Sequence, residues 1–417
     1  MTRILAAKTA DHAGSVITVK GWVQNRRDHG GLIFIDLRDH TGLVQLVFHP
    51  ENAAAFASAE SLRDEFVVSA TGVVAQRGQG LENPNIESGS IEIVVDELTV
   101  LNKAETLPIQ PFGDNQANEE LRLKYRYLDL RRPKMQQMLK RRAEFVDTMR
   151  EYMRQNDFTD VTTPVLANSS PEGARDFLIP SRLHEGKFYA LPQAPQQFKQ
   201  LLMVGGVSRY YQIAACFRDE DPRADRLYGE FYQLDLEMSF AEDGEEVRQM
   251  MDPLIKSLVT DFAGKTLQFG DEIPRIPYVE AMEKYGSDKP DLRFDMELTE
   301  LSEILSGTEF AVFKNAETVK AILVKNGAGL SRKQIDGFTE IAKSEGAGGL
   351  AYISYENGEA KSPIAKFLSE DELTGIKQTM QAEDGDTIFF GADKRATVNK
   401  VLGRLRSEFA DHFGLKD

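Results

Sequence analysis

Two apolar runs joined by a long charged loop constrain this chain most. Residues 210–217 are apolar and lead into Arg218, Asp219 and Glu220; a polar run, 221–229, follows; then Phe231, Leu234, Leu236 and Met238 are set among Gln233, Asp235 and Glu237. Alternation at period two sends successive side chains to opposite faces of a strand. The pattern predicts strand, charged loop, strand. An arginine fixed at a strand end can grip a phosphate, because its planar fork makes two parallel charge-assisted hydrogen bonds. Carboxylates on the facing strand can hold an ammonium group or an amide donor. In isolation, an ordinary salt-bridged hairpin reads the same way.

The chain has 417 residues, enough for two or three domains, and the texture predicts a multidomain α+β protein. Residues 1–103 look all-β. The runs 15–23, 32–38 and 43–48 alternate, and Asp28-His29-Gly30-Gly31 and Asp39-His40-Thr41-Gly42 punctuate them as turns. A short helix over 53–62 and two more strands, 66–74 and 90–101, complete the set. Five strands with a helix after the third resemble an OB-fold barrel, a common reader of single-stranded nucleic acid. Residues 104–118, with Pro108 and Pro111, read as a linker.

A helix is predicted from Pro133 to near Asn156, with Met135, Leu139, Arg142, Phe145, Met149 and Tyr152 on one face. A strand over 158–166 follows, and the α+β segment runs over 119–285. Residues 286–417 read as a second α/β segment. Its strands are expected near 309–313, 349–355 and 386–391, and its final helix near 396–413.

The formal net charge of −16 argues against a protein that coats nucleic acid through bulk charge. Local basic clusters remain: Arg26 and Arg27 with Arg38, and the dense run over 122–142. Each also reads as a solvated face. The single cysteine, Cys216, excludes an internal disulfide and reads as a small core residue. No apolar run has the length of a membrane span, and the first residues do not form a signal peptide, so the expected compartment is the cytoplasm.

Taken in order, Arg122-Leu123-Lys124-Tyr125-Arg126-Tyr127-Leu128-Asp129-Leu130-Arg131-Arg132, the helix and strand ending at Pro164, Ser170-Pro171-Glu172-Gly173-Ala174-Arg175-Asp176, Gln193-Ala194-Pro195-Gln196-Gln197-Phe198-Lys199 and the Phe217–Glu237 hairpin resemble the bacterial aspartyl-tRNA synthetases. The resemblance covers the whole chain. It implies an N-terminal five-stranded OB-fold anticodon domain, an antiparallel class II catalytic domain carrying motifs 1 and 2, and the bacterial insertion domain named after Gly391-Ala392-Asp393. It implies an aspartate–tRNA ligase: L-aspartate is activated with ATP to aspartyl-adenylate and passed to tRNA(Asp). Arg218 then binds the α-phosphate and is the catalytic arginine. Glu220 and Phe231 hold ATP. Glu172, Gln196, Lys199, Gln233 and Asp235 surround aspartate, and Pro164 lies in a homodimer interface. Ala194 departs from the serine usual in the family and puts one polar contact in doubt.

In the barrel the resemblance assigns Arg26, His29, Phe34, Gln45 and Gly80 to the tRNA anticodon. Phe34 has a rival reading as a buried core ring. His29 stands where strictly aspartate-specific enzymes carry leucine, and Gly80-Leu81-Glu82-Asn83-Pro84-Asn85 resembles the loop of enzymes that charge tRNA(Asn) as well as tRNA(Asp). Magnesium is implied with ATP. Its protein ligands, with motif 3, are expected in a C-terminal part beyond Asp417, so the chain is expected to be incomplete, with an open catalytic sheet and doubtful activity alone. The alternative reading is a non-catalytic tRNA-binding or regulatory relative. Asparaginyl and lysyl enzymes share the barrel and motif 2.

Overall fold

The computed structural model describes residues 2–112, 117–170, 172–220, 229–270 and 272–416. Gly113, Pro171, Asp417 and the stretch 221–228 of the predicted charged loop lie outside the described residues. Two compact units form, Met1–Thr266 and Leu267–Asp417.

The first unit begins with a closed barrel. The long strand Val16–His29 pairs antiparallel with Leu32–Arg38 and with Val67–Gln76; Leu43–Phe48 and Ile91–Asn102 complete the ring. Val16–His29 passes from one neighbour to the other through a bulge between Val23 and Asn25. Gly30 and Gly31 close the first hairpin at φ +60° and +81°, a left-handed pair that β-carbons disfavour. Val19, Val23, Ile33, Ile35, Leu37, Leu46, Val68, Ile91 and Ile93 fill the interior. Each such side chain contributes about 1.5–3 kcal/mol by leaving water. The expected helix forms over Ala53–Glu60, capped by the Asn52 side chain on the Ala55 N–H.

A polar junction ties this barrel to the helical segment that follows it. Buried Glu65, at φ +64°, accepts from Arg38 Nη2 at 2.8 and 2.9 Å and also from Arg131 Nη1. Both guanidiniums lie near the ring of Trp22, at 5.8 and 5.4 Å from its centroid. The basic run is not simply a solvated face. Asp129, fully buried, accepts from Arg122 at 3.0 Å, Arg126 at 2.9 Å and Arg132 at 3.2 Å.

The long helix is Pro133–Gln155, with Met135, Met149 and Met153 buried. Leu139, expected on the covered face, is exposed. The strand expected over 158–166 is much shorter. Only Thr159–Asp160 pairs, parallel, with Arg209–Phe217. Beyond it the Gln212 side chain bonds the Thr163 N–H and hydroxyl in place of a ladder, and Pro164 has no N–H to offer. Glu230–Met238 pairs antiparallel along the other edge of Arg209–Phe217, as the alternation predicted.

In the second unit five antiparallel strands stand in the order Thr299–Glu300, Thr318–Val324, Thr387–Asp393, Ala351–Glu356, Glu359–Lys361. Helices cover both faces. Ile322, Val324 and Phe389 pack on Val398, Leu402, Leu405 and Phe409; Val319, Ala321, Ile388 and Phe390 pack on Leu301, Phe313, Ile376 and Met380. The strand expected near 309–313 is instead the short helix Ala311–Lys314, and the paired strand lies at Thr318–Val324. The helix Tyr278–Tyr285, read above with the preceding segment, belongs to this unit: its Glu283 carboxylate and carbonyl hold the buried Lys320 ammonium. Gly391 has a packing reason, since a β-carbon there would lie 3.1 Å from Val398 and 3.2 Å from Leu402.

Candidate active site and nucleic-acid face

The register of the antiparallel pair decides which side chains share the cleft. Phe231, Gln233, Asp235 and Glu237 lie opposite Cys216, Ala214, Gln212 and Tyr210, all on one face. Leu234, Leu236 and Met238 turn to the other side and pack beside Met153, Phe158 and Tyr211. Phe231 thus stands with the polar residues, and the Arg218 guanidinium lies 4.9 Å from its ring centroid. The backbone N–H of Arg218 donates to Gly229 O at 2.8 Å, which fixes the arginine where the strand ends. Glu220 is exposed at the last described residue before the loop.

The helix Gln196–Val204 lies against this face. Gln196 and Lys199 are three apart and so share a helix side. Lys199 Nζ donates to Asp235 Oδ1 at 2.9 Å and stands 3.3 Å from Glu237 Oε2. Burial works against the ammonium, but the two carboxylates outweigh it and hold Lys199 above the ordinary lysine range. The second oxygen of Asp235 is buried and has no hydrogen-bond partner among the described residues. A buried carboxylate oxygen without a donor is costly unless a ligand or water supplies one. Burial, with Asp235 close by, pushes the Cys216 thiol up to about 11, which leaves it a neutral wall atom. It donates to Gln233 Oε1 at 3.3 Å.

Glu172 is exposed, and the chain turns after it through Gly173 at φ +93°. Pro164 is exposed with Val165 and Leu166 beside it. Two contributors lie outside the site residues that the resemblance implied, although Glu237 is among the strand carboxylates read from the alternation. Glu237 is detectable as the residue two beyond Asp235, hence on the same face. Gln193, 1% exposed, bonds the backbone of Ala174; its order in the chain gave no such signal.

On the barrel, Phe34 lies outside the core cluster that holds its neighbours Ile33 and Ile35, so the ring faces outward. Gln45 is nearly buried and donates to Glu92 at 3.0 Å while accepting from Arg27 at 3.3 Å. Arg27, not Arg26, is paired with Phe34 across the strands and bonds Asp36 at 2.7 Å. Arg26 stands opposite the core residue Ile35 and bonds Asp28 at 2.7 Å. His29 ends the long strand exposed, and Gly80 turns at φ +81° with its N–H on Glu82 at 3.1 Å.

A nucleic-acid-type barrel joined to an antiparallel sheet with a strand-end arginine defines the class II aminoacyl-tRNA synthetase plan. Residues 118–391 match the tRNA synthetases class II (D, K and N), and residues 17–101 match the OB-fold nucleic acid binding domain. The Aspartate--tRNA(Asp/Asn) ligase of Halothermothrix orenii is 52% identical over 407 residues, covering 96% of this chain and 68% of that protein. Those of Chlorobium phaeobacteroides and Bacillus cytotoxicus are each 49% identical, over 96% and 98% of this chain and 66% and 70% of their own lengths. The chain belongs to this class II family, in its bacterial aspartyl branch, and spans about two thirds of the length of these curated relatives. Among solved structures, asparaginyl-tRNA synthetase from Pyrococcus horikoshii with asparaginyl-adenylate superposes with a TM-score of 0.58 at 18% identity, over 96% of this chain and 95% of that one. The Entamoeba histolytica enzyme with the same ligand gives 0.54 at 17%, over 97% and 95%. At that identity the likeness speaks for the fold.

Proposed function

We propose that this chain is an aspartate–tRNA ligase that activates L-aspartate with ATP and serves both tRNA(Asp) and tRNA(Asn). The observation that carries the reading is the Lys199–Asp235–Glu237 group. An ammonium has three donors. Two of them face Asp235 and Glu237, and the third can take the side-chain carboxylate of aspartate. The triad carries one net negative charge, and the unpartnered Asp235 oxygen suits the substrate's α-ammonium group.

The chemistry follows from alignment more than from a protein nucleophile. The aspartate α-carboxylate attacks the α-phosphorus of ATP, and pyrophosphate leaves. Arg218 offsets charge on the α-phosphate while Phe231 stacks on adenine and Glu220 helps hold the nucleotide. The terminal ribose hydroxyl of tRNA then attacks the carbonyl carbon, and AMP leaves. Magnesium accompanies ATP as its phosphate counter-ion. Among the described residues no group of three or more His, Cys, Asp or Glu side chains could hold a metal ion.

Phe34 and Arg27 form the outer patch suited to unstacked anticodon bases, with Gln45 buried beneath and bonded to Arg27. The Asp/Asn specificity in the relatives' names, with His29 and the Gly80 loop, supports the two-tRNA reading. We further assign Pro164 and the apolar residues around it to a homodimer contact, and the cytoplasm as the place of action. Among the described residues no helix is long and apolar enough to cross a membrane.

The test is amino-acid-dependent exchange of pyrophosphate into ATP, followed by charging of the two tRNAs. Exchange with aspartate but not asparagine or lysine is the expected result. Exchange with another amino acid would reassign the substrate. No exchange with tRNA binding retained would leave the non-catalytic relative open, since the chain spans about two thirds of its relatives' length, and a large preference for tRNA(Asp) would remove the two-tRNA reading.

A further inference from the structure

We propose that Gln193 is a positioning residue for amino-acid recognition, holding the loop that carries Glu172 against the segment that carries Gln196 and Lys199. The inference rests on the function proposed above. Gln193 Oε1 accepts the Ala174 N–H at 3.1 Å, and Nε2 donates to Ala174 O at 3.0 Å and to Asp176 Oδ1. The carboxamide thus copies one rung of a β-ladder, with donor and acceptor both on the same residue. Ser169 donates to the other Asp176 oxygen, which pinches the neck of the loop. On its far side the loop is stitched to the catalytic strand end: Asp219 N donates to Arg175 O at 2.9 Å, and Arg175 Nε donates to Asp219 O at 2.8 Å.

The chemistry of this clamp requires an amide. Glutamate at 193 would face Asp176 and the Ala174 carbonyl with oxygen, and leucine would leave both Ala174 groups unpaired. Gln193 lies three residues before Gln196 in the chain, so the clamp anchors the Glu172 loop to the segment that leads into the substrate-facing helix. Glu172 sits two residues before Ala174 and is carried by it.

The experiment is calorimetric titration of Gln193→Leu and Gln193→Glu with L-aspartate and, separately, with ATP, alone and combined with Glu172→Ala. The expected result is an aspartate dissociation constant raised about tenfold with ATP affinity unchanged. Added to Glu172→Ala, the Gln193 change should weaken aspartate binding no further, because it acts through that residue. Additive losses, or an equal loss of ATP affinity, would overturn the proposal; either would mark a general structural role. If the unmutated chain binds no aspartate, the function proposed above fails instead. The clamp is then judged by the rate of tryptic cleavage after Arg175: faster release in both variants supports it, and an unchanged rate overturns it.

Discussion

The ammonium of Lys199 lies 2.9 Å from Oδ1 of Asp235, while Oδ2 of the same carboxylate is buried with no hydrogen-bond partner among the described residues. One half of the carboxylate is therefore satisfied within the protein, and the other half is left for something else. Lys199→Met should lower aspartate affinity by about 100-fold, since it removes a cation and leaves two facing carboxylates uncompensated. ATP affinity should change little. Titration calorimetry with each ligand checks this, and equal losses for both ligands would refute it.

Asp129 predicts an acid-sensitive fold. Its carboxyl lies below the usual range, chiefly through the hydrogen bond from Arg122, with Arg132 helping against the cost of burial. A folded-state pKa below the unfolded value contributes stability that is fully present above about pH 4 and is lost as pH falls through the lower folded value. Asp129→Asn should therefore be less stable at pH 7 and depend less on pH below about 4. Urea unfolding of both proteins at pH 7 and pH 3 measures the difference; parallel curves would contradict it.

Gly286 and Gly403 meet backbone to backbone. A β-carbon on Gly403 would lie 2.5 Å from the Gly286 carbonyl oxygen, and one on Gly286 would lie 2.0 Å from Asn399 O. Gly403→Ala should destabilise the second unit by about 1–3 kcal/mol through overpacking. Gly286→Ala should cost roughly 1 kcal/mol more, because φ there is +66°. Hydrogen exchange of the strand Thr318–Val324 reads this unit directly, and unchanged protection would count against the argument.

On the barrel, Phe34→Ala and Arg27→Ala should each weaken tRNA(Asp) binding, by about 1–3 kcal/mol for the lost stacking platform. Arg26→Ala should matter less, because that side chain stands opposite Ile35 and bonds Asp28. Filter binding at one fixed salt concentration ranks the three. A larger loss for Arg26→Ala than for Arg27→Ala would reverse the assignment.

That contrast explains what a sequence can and cannot display. Alternation counted from buried Val23 puts Arg26 outward and Arg27 inward. The bulge between Val23 and Asn25 shifts the count by one and reverses the two. Nothing in the local composition announces the bulge. The five barrel strands were legible because period-two alternation is a local property of each run. The short run over 309–313 was not, since three or four apolar residues fit either period. Phe310 and Phe313, three apart with ring centroids 4.8 Å apart, meet on a helical turn. In the cleft, Lys199 and Asp235 were visible as chemical types within a recognisable order. The Gln193–Ala174 clamp joins two segments whose proximity only the folded chain creates.

Trp22 is the single tryptophan among 417 residues, and its ring lies beside the guanidiniums of Arg38 and Arg131 where barrel meets helix. The chain has thus placed its one indole fluorophore at a single seam. Shifts in its emission during unfolding, or on adding tRNA, will follow the seating of the barrel and little else. The second unit, which has no indole, will melt without an indole signal of its own. A fluorescence trace and a circular dichroism trace of the same sample should then part company, and the gap between them separates the loosening of the seam from the loss of secondary structure.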